Sequence, residues 1–391
     1  MPSKHKRQSL SEGPFPGLDL ENPQDEETHL GRSIRLMMAS NLRGNGSVRT
    51  HSRSGGEATF TINMGHAYDH DILGDTTPDQ VHSELRKYIS EIAESLKKLS
   101  KENALDEYLT EQLAQMVYGS NMIEMAGGGL DITLKLCRAI FRGEEVPENI
   151  TERDSDYEDH KRHLMQKNLP SGHKAVLRSH REIIQHAQAA RYMIEEICIH
   201  GKDLSEGIIR EAHALLTHKI DLNERTPWIY YSGVYRTWNV RCGTHVFMDE
   251  SRVPFAMRDM IESLESDIKS ATEKGEIDPV LLASKYCHEF VNIHPFGDGN
   301  GRMCRLILNA LLLKYSGGIV CFGQNGEDRQ EYLRIAVDAS AKEALKNHQN
   351  KVTENEPDGL KPKNYKQLAS FTLRHARDNM RKIRQIFKRD D

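Results

Sequence analysis

Three things are missing from this sequence, and each removes a class of function. No run of apolar residues approaches the roughly 20 needed to span a bilayer, and the opening "MPSKHKRQSLSEGPFPG" lacks the apolar stretch of a secretory signal. No excess of basic charge is present: the net charge is −5, which argues against a surface built to grip phosphate backbones. The six cysteines (Cys137, Cys198, Cys242, Cys287, Cys304, Cys321) form no C-x-x-C pair, so neither a zinc knuckle nor a dense disulfide framework is indicated. Isolated thiols fit a reducing compartment. The expectation is a cytoplasmic or nuclear protein with neither membrane nor nucleic acid among its partners.

What is there is enough chain for a large core. The 391 residues are 37% hydrophobic and 28% charged, as in a globular protein with polar sequence attached. Residues 1–78 show no sustained hydrophobic period and read as a disordered tail. From Pro78 onward, Leu85, Ile89, Ile92 and Leu96 fall at helical spacing, and a second helix follows through Leu109, Leu113 and Val117. Gly127, Gly128 and Gly129 end it. The charged segment "ITERDSDYEDHKRHLMQKNLPSG" reads as an exposed excursion. Helical patterning then resumes, broken by "SGVYRTWNVRCGTHVFMDE", whose β-branched and aromatic residues flank a short hairpin turn. The fold class is mainly α with one β-hairpin. Its expected units are a tail (1–78), a helical region (79–135), a core (175–345), and a linker with a basic terminal helix (346–391).

Chemistry concentrates in "NIHPFGDGNGRMCRLIL", Asn292 to Leu308. A helix through Ala283, Tyr286, Cys287 and Phe290 enters it, and a helix apolar nearly all round leaves it. The amino end of that second helix exposes N–H donors and a positive dipole end, which favour phosphate. Gly299 and Gly301 permit a sharp turn and close approach to a ligand, while Asn300 supplies an amide. Arg302 and Arg305, three apart, share a helix face and can reach neighbouring phosphates. Asp298 is placed to hold Mg²⁺ between two phosphates. His294 is the nearby group whose ordinary pKa suits proton abstraction near neutrality. Phe296, between base and carboxylate, reads as an anchor in the core. Taken singly, each feature is also what an ordinary turn or a solvated helix would carry; their joint occurrence is the signal.

"HPFGDGNGRMCR" resembles the Fic family motif H-x-F-x-[D/E]-G-N-G-R-x-x-R at every specified position, and "HEFVNI" resembles the helix leading into it. The resemblance implies a Fic-type helical bundle and transfer of AMP from ATP to a Ser, Thr or Tyr hydroxyl of a target protein. It implies His294 as the base, Asp298 as the Mg²⁺ ligand, and nucleotide contacts from Phe296, Gly297, Gly299, Asn300, Gly301, Arg302 and Arg305, with Arg305 on the γ-phosphate. Downstream, "EYLRIAVDAS" resembles the adenine-side helix, placing Tyr332 near the base, although the asparagine usual two turns later is absent. The hairpin residues Val240, Arg241, Cys242, Gly243, Thr244 and His245 correspond to the family's flap, an edge that holds the target by main-chain hydrogen bonds. Upstream, "SNMIE" resembles the inhibitory motif [S/T]-x-x-x-E-[G/N]. This implies that Ser120 and Glu124 lie on an inhibitory helix and that Glu124 pairs with Arg305. Met125 departs from the usual Gly or Asn.

The reading is therefore a protein adenylyltransferase restrained by Glu124, with ATP and a target protein as partners and Mg²⁺ as cofactor. A homodimer is left open. Alternatives are removal of AMP at the same site, with Glu124 orienting a water, and a non-enzymatic helical module whose basic end, Arg374 to Arg389, meets acidic partners. Transfer of a phosphoryl group is disfavoured because those relatives carry lysine where Gly301 stands.

Overall fold

The computed structural model describes residues 29–50, 56–62, 67–73, 77–98, 101–242, 245–349 and 364–388. Helices dominate, and their boundaries follow local signals. Helix α1 is Leu30–Asn41, followed by strands β1 (Ser47–Arg49) and β2 (Glu57–Phe60) and a short α2 (His70–Leu73). In α3 (Pro78–Lys97) the side chain of Thr77 accepts from the Gln80 N–H while Gln80 accepts from the Thr77 N–H, a reciprocal cap with proline in the first turn. Helices α4 (Glu102–Ile123), α5 (Leu130–Phe141), α6 (Ser155–Gln166) and α7 (His173–Ile194) follow, the last running into a π turn at Glu195–Ile199. Ser205 caps α8 (Glu206–Thr217), accepting from the Ile208 N–H at 3.3 Å.

The predicted hairpin is present as β3 (Arg241–Cys242) paired antiparallel with β4 (His245–Val246); Gly243 and Thr244 lie outside the described residues. Helix α9 (Val253–Lys274) ends on Gly275 in the left-handed region, and β5 (Glu276–Ile277) joins the parallel edge of β2 through Thr59↔Glu276 and Phe60↔Ile277. Asp278 caps α10 (Pro279–Ile293), accepting from the Leu281 N–H at 3.0 Å. Helix α11 (Asn300–Ser316) is buried along almost its whole length, as its apolar circumference predicts. Helices α12 (Gly326–Gln349) and α13 (Lys366–Lys388) complete the chain. The α10–α11 pair forms the centre, with α7, α4 and α13 packed around it.

Three expectations need correction. The tail predicted through residue 78 fails for much of its second half; residues 1–28 lie outside the described residues. Leu30, Ile34 and Met38 of α1 are fully buried against α4, Arg35 forks onto Asp106 and Glu102, and β1–β2 pair with the sheet that includes β5. The apolar residues are there, but basic and small polar side chains are interleaved with them over only 12 positions, so the period is hidden. The basic terminal helix is likewise not a free surface. Its Leu368, Phe371 and Met380 are buried, and Arg377 and Arg384 pair with Glu84 and Glu91 of α3. The acidic partner imagined for it is within the chain. The excursion after Ile150 is also ordered: Tyr157 and Leu164 of α6 pack on Val176 of α7 as a small satellite core.

Candidate active site

His294 terminates α10 in the left-handed region, φ 51° and ψ 60°, which turns the chain into the motif loop. Its Nδ1 lies 3.1 Å from the Val291 carbonyl. A carbonyl can only accept, so Nδ1 carries the proton and Nε2 holds the lone pair. The ring stacks on Phe247, just after β4, at 3.7 Å between centroids and 16° between planes. Burial pushes its pKa down to about 4, with the Val291 carbonyl opposing and Arg236 adding to the fall. The imidazole is thus neutral at physiological pH and held by its Nδ1 side.

Phe296 is fully buried, its ring face to face with His213 at 3.7 Å. His213 accepts from the Gly233 N–H at Nδ1 and donates from Nε2 to the Asp298 carbonyl, at 2.9 Å each. Phe296 therefore anchors the loop, as its position suggests, and lies beneath the site, off the wall of the cavity formed by this loop. The Asn300 side chain turns back on the loop. Its carbonyl oxygen accepts from the Phe296 N–H (3.0 Å) and its amide donates to the Phe296 carbonyl (2.9 Å), so the side chain closes the loop on itself. This closure uses one of the two amide hydrogens; the other and the backbone remain for an anion, and Asn300 lines the cavity at the loop.

Gly299, at φ 77°, caps α11, and the first turn of the helix lines a cavity of about 560 Å³, within the range of small-ligand sites. His294, Gly297, Asp298, Gly301, Arg302, Glu124, Val240 and Arg241 line the same cavity. Arg302 is only 3% exposed. Its Nη2 faces Asp298 at 3.6 Å, while Nε and Nη1 are buried without a hydrogen-bond partner. A buried cation left so incompletely satisfied is costly, and an anion in the cavity would relieve it. Burial pushes the Asp298 carboxyl up, but Arg302, the Gly299 N–H and Arg178 together outweigh it and hold the pKa below its ordinary value.

Arg305 is fully engaged away from the open cavity. Nε donates to the Ser120 hydroxyl (2.8 Å), and Nη2 donates to the Ser120 carbonyl (2.9 Å) and Glu124 Oε1 (2.7 Å). Burial would lower its pKa; Tyr332 and Glu124 outweigh that and raise it, so it stays charged. Glu124 reaches it across Gly301: a methyl at position 301 would stand 2.1 Å from Glu124 Oε1. Tyr332 is not on the cavity wall. Its hydroxyl lies 3.4 Å from Arg305 Nη1, and its ring is packed among Phe322 and Phe371, so it stands behind Arg305.

Several residues of the site carry no motif. Arg178 and Glu182 of α7 line the cavity. Glu182 accepts from Arg178 Nε on one oxygen and from the Gly127 N–H on the other, both at 2.8 Å, tying the turn after Glu124 to α7. Arg236 binds the carbonyls of His294, Trp238 and Met248. The indole of Trp238 lies where a side chain at Gly297 would stand. Each acts through backbone groups, which leave no pattern in a sequence. Of the hairpin residues, Val240 and Arg241 reach the cavity; His245 meets Phe247 edge-on at 4.7 Å.

Comparison with known proteins agrees with this construction. Residues 203–312 match the model of the Fic/DOC family. A Fido domain-containing protein of Dictyostelium discoideum is 34% identical over 87 residues, 22% of this chain and 58% of that protein. Protein adenylyltransferase Fic of Nematostella vectensis is 27% identical over 233 residues, 58% of this chain and 44% of that protein. The chain thus spans little more than half of one relative and less than half of the other. A Fic domain-containing signaling protein from Bacteroides thetaiotaomicron shares the fold, with a TM-score of 0.51 at 18% identity over 80% of this chain and 98% of that one. The loop between α10 and α11 lies inside the matched segment, and the chain carries a domain of the Fic/DOC family.

Proposed function

We propose that the protein is an adenylyltransferase that moves AMP from ATP to a Ser, Thr or Tyr hydroxyl of a target protein, and that Glu124 restrains it. One observation carries the reading: the free Nε2 side of a neutral histidine and an incompletely paired buried arginine at a helix amino end line one cavity of about 560 Å³. His294 accepts the hydroxyl proton on Nε2, the target oxygen bonds to the α-phosphorus, and the bond from that phosphorus to the bridging oxygen breaks, releasing pyrophosphate. The α11 amino end and Arg302 balance the negative charge of the phosphates. Asp298, ionised and half-exposed at the cavity, suits Mg²⁺. Among the described residues no group of three or more His, Cys, Asp or Glu stands together, so its other ligands would be phosphates and water. The ion neutralises phosphate charge when bound.

Because Glu124 and Ser120 take up Arg305, the cation best placed for a terminal phosphate is withheld. ATP labelled at the α-phosphate, incubated with Mg²⁺ and protein, tests this. Weak self-labelling is expected of the wild type, stronger labelling of Glu124→Gly, and labelling lower by ~10²–10⁴ when His294→Ala is added. Equal labelling with and without Glu124 would remove the restraint. Since the Glu124 carboxylate lines the same cavity as His294, it supports a second reading, removal of AMP with Glu124 orienting a water. An adenylylated target that loses AMP to the wild type but not to Glu124→Gly would favour that direction.

A further inference from the structure

Arg236 is 2% exposed, yet none of the hydrogen bonds found for its side chain goes to a carboxylate. Nε donates to the His294 carbonyl at 2.7 Å, Nη1 to Trp238 at 3.1 Å, and Nη2 to Met248 at 2.7 Å and Ile293 at 3.4 Å. Its own N–H donates to the Pro295 carbonyl at 2.9 Å. These acceptors fall in two groups. Ile293, His294 and Pro295 form the carboxyl end of α10 and the start of the motif loop, where a cation also meets the negative end of the helix dipole. Trp238 and Met248 are the two stems of the β3–β4 hairpin. One planar fork spans both, something a lysine's single ammonium could not do.

Side chains repeat the connection. Phe247, beside Met248, stacks on the His294 ring at 3.7 Å, and Trp238 packs on Gly297. The left-handed backbone at His294 (φ 51°) is disfavoured for a residue with a side chain, so something must hold it, and Arg236 grips its carbonyl. We propose that Arg236 is a positioning residue that sets the imidazole of His294 relative to the hairpin, so that seating an extended segment on the hairpin edge and aiming the base are one event. The catalytic consequence rests on the adenylyltransferase reading; the mechanical coupling does not.

The test compares Arg236→Gln and Arg236→Lys in the Glu124→Gly background, using amide hydrogen exchange and self-labelling rates. The reporters are the Phe247 N–H, bonded to the Val240 carbonyl, and the His294 N–H, bonded to the Phe290 carbonyl. In Arg236→Gln both amides are expected to lose protection together, and the labelling rate at saturating ATP is expected to fall by about 10²-fold with KM for ATP unchanged, the scale of a base misplaced by an ångström. Arg236→Lys should show the same paired loss in smaller measure, and it serves alone if the glutamine form does not fold. Loss of protection in the hairpin without change at His294, or the reverse, overturns the proposal, as does a rise in KM with kcat intact. If the Glu124→Gly parent labels nothing, the adenylyltransferase reading fails while the paired exchange still decides the coupling.

Discussion

At the scale of single residues the proposed chemistry turns on which atoms of His294 are free. Its depressed pKa fixes a pH dependence. The imidazole must be neutral to accept a proton, and burial holds its pKa near 4, so protonation should silence it only as pH falls through about 4, well below the ordinary value for histidine. The same shift makes a stability statement: the unfolded chain takes up this proton before the folded one, so its contribution is complete above the unfolded pKa and is lost as pH falls through the folded one. A nuclear magnetic resonance titration of the ring protons, assigned by their loss in His294→Ala, should show a midpoint near 4; a midpoint near 6.5 would mean that the ring is open to water. That His294, Asp298 and Arg302 would meet at one cavity was legible because the motif is contiguous. Arg236, Phe247 and Glu182 were not. They act on carbonyls, ring faces and N–H groups supplied by distant segments, and backbone groups are the same at every position.

Among elements, the end of α4 carries the carboxylate that meets Arg305. Glu124 caps it, and Met125 follows in the left-handed region at φ 56°, its side chain exposed and its N–H bonded to the Met122 carbonyl at 3.3 Å. Gly or Asn, the usual choices at this point of the resembling motif, tolerate that backbone. Met125→Gly should therefore stabilise the folded chain by about 1 kcal/mol, read as a higher urea midpoint, and should tighten the Glu124–Arg305 contact, read as weaker self-labelling. The turn is further held by Glu182 at Gly127 and by the Ser179 hydroxyl, which donates to the Gly127 carbonyl at 2.7 Å. Long elements such as α3, α7, α10 and α11 were readable from period and caps. Helix α1 and the strands of three or four residues were not, because so few positions cannot establish a period against interleaved polar residues.

Across the whole molecule, segments distant in sequence fix where α4 stands. Helix α1 lies along it, with Gly31 so close to the Asp106 carbonyl that a methyl would fall 2.2 Å away, and Arg35 pairs with Asp106 at 2.7 Å with both side chains largely buried. Removing one partner of such a pair leaves an uncompensated charge, so Arg35→Met should cost about 3 kcal/mol. Arg43→Ala breaks the exposed pair with Glu57 and should cost less than about 1 kcal/mol; chemical denaturation of the two variants measures the contrast. Among the described residues, no helix is long and apolar enough to cross a membrane.

The hollow over Gly301 has room for the Glu124 carboxylate because that glycine has no side chain to fill it. Under the proposed restraint the chain thus carries its own anionic competitor, tethered rather than dissolved, at an effective concentration that for short connections is on the order of millimolar. Nucleotide then competes with a rival that dilution cannot remove. The apparent affinity for ATP would reflect how often that carboxylate swings out as much as how well the phosphates fit.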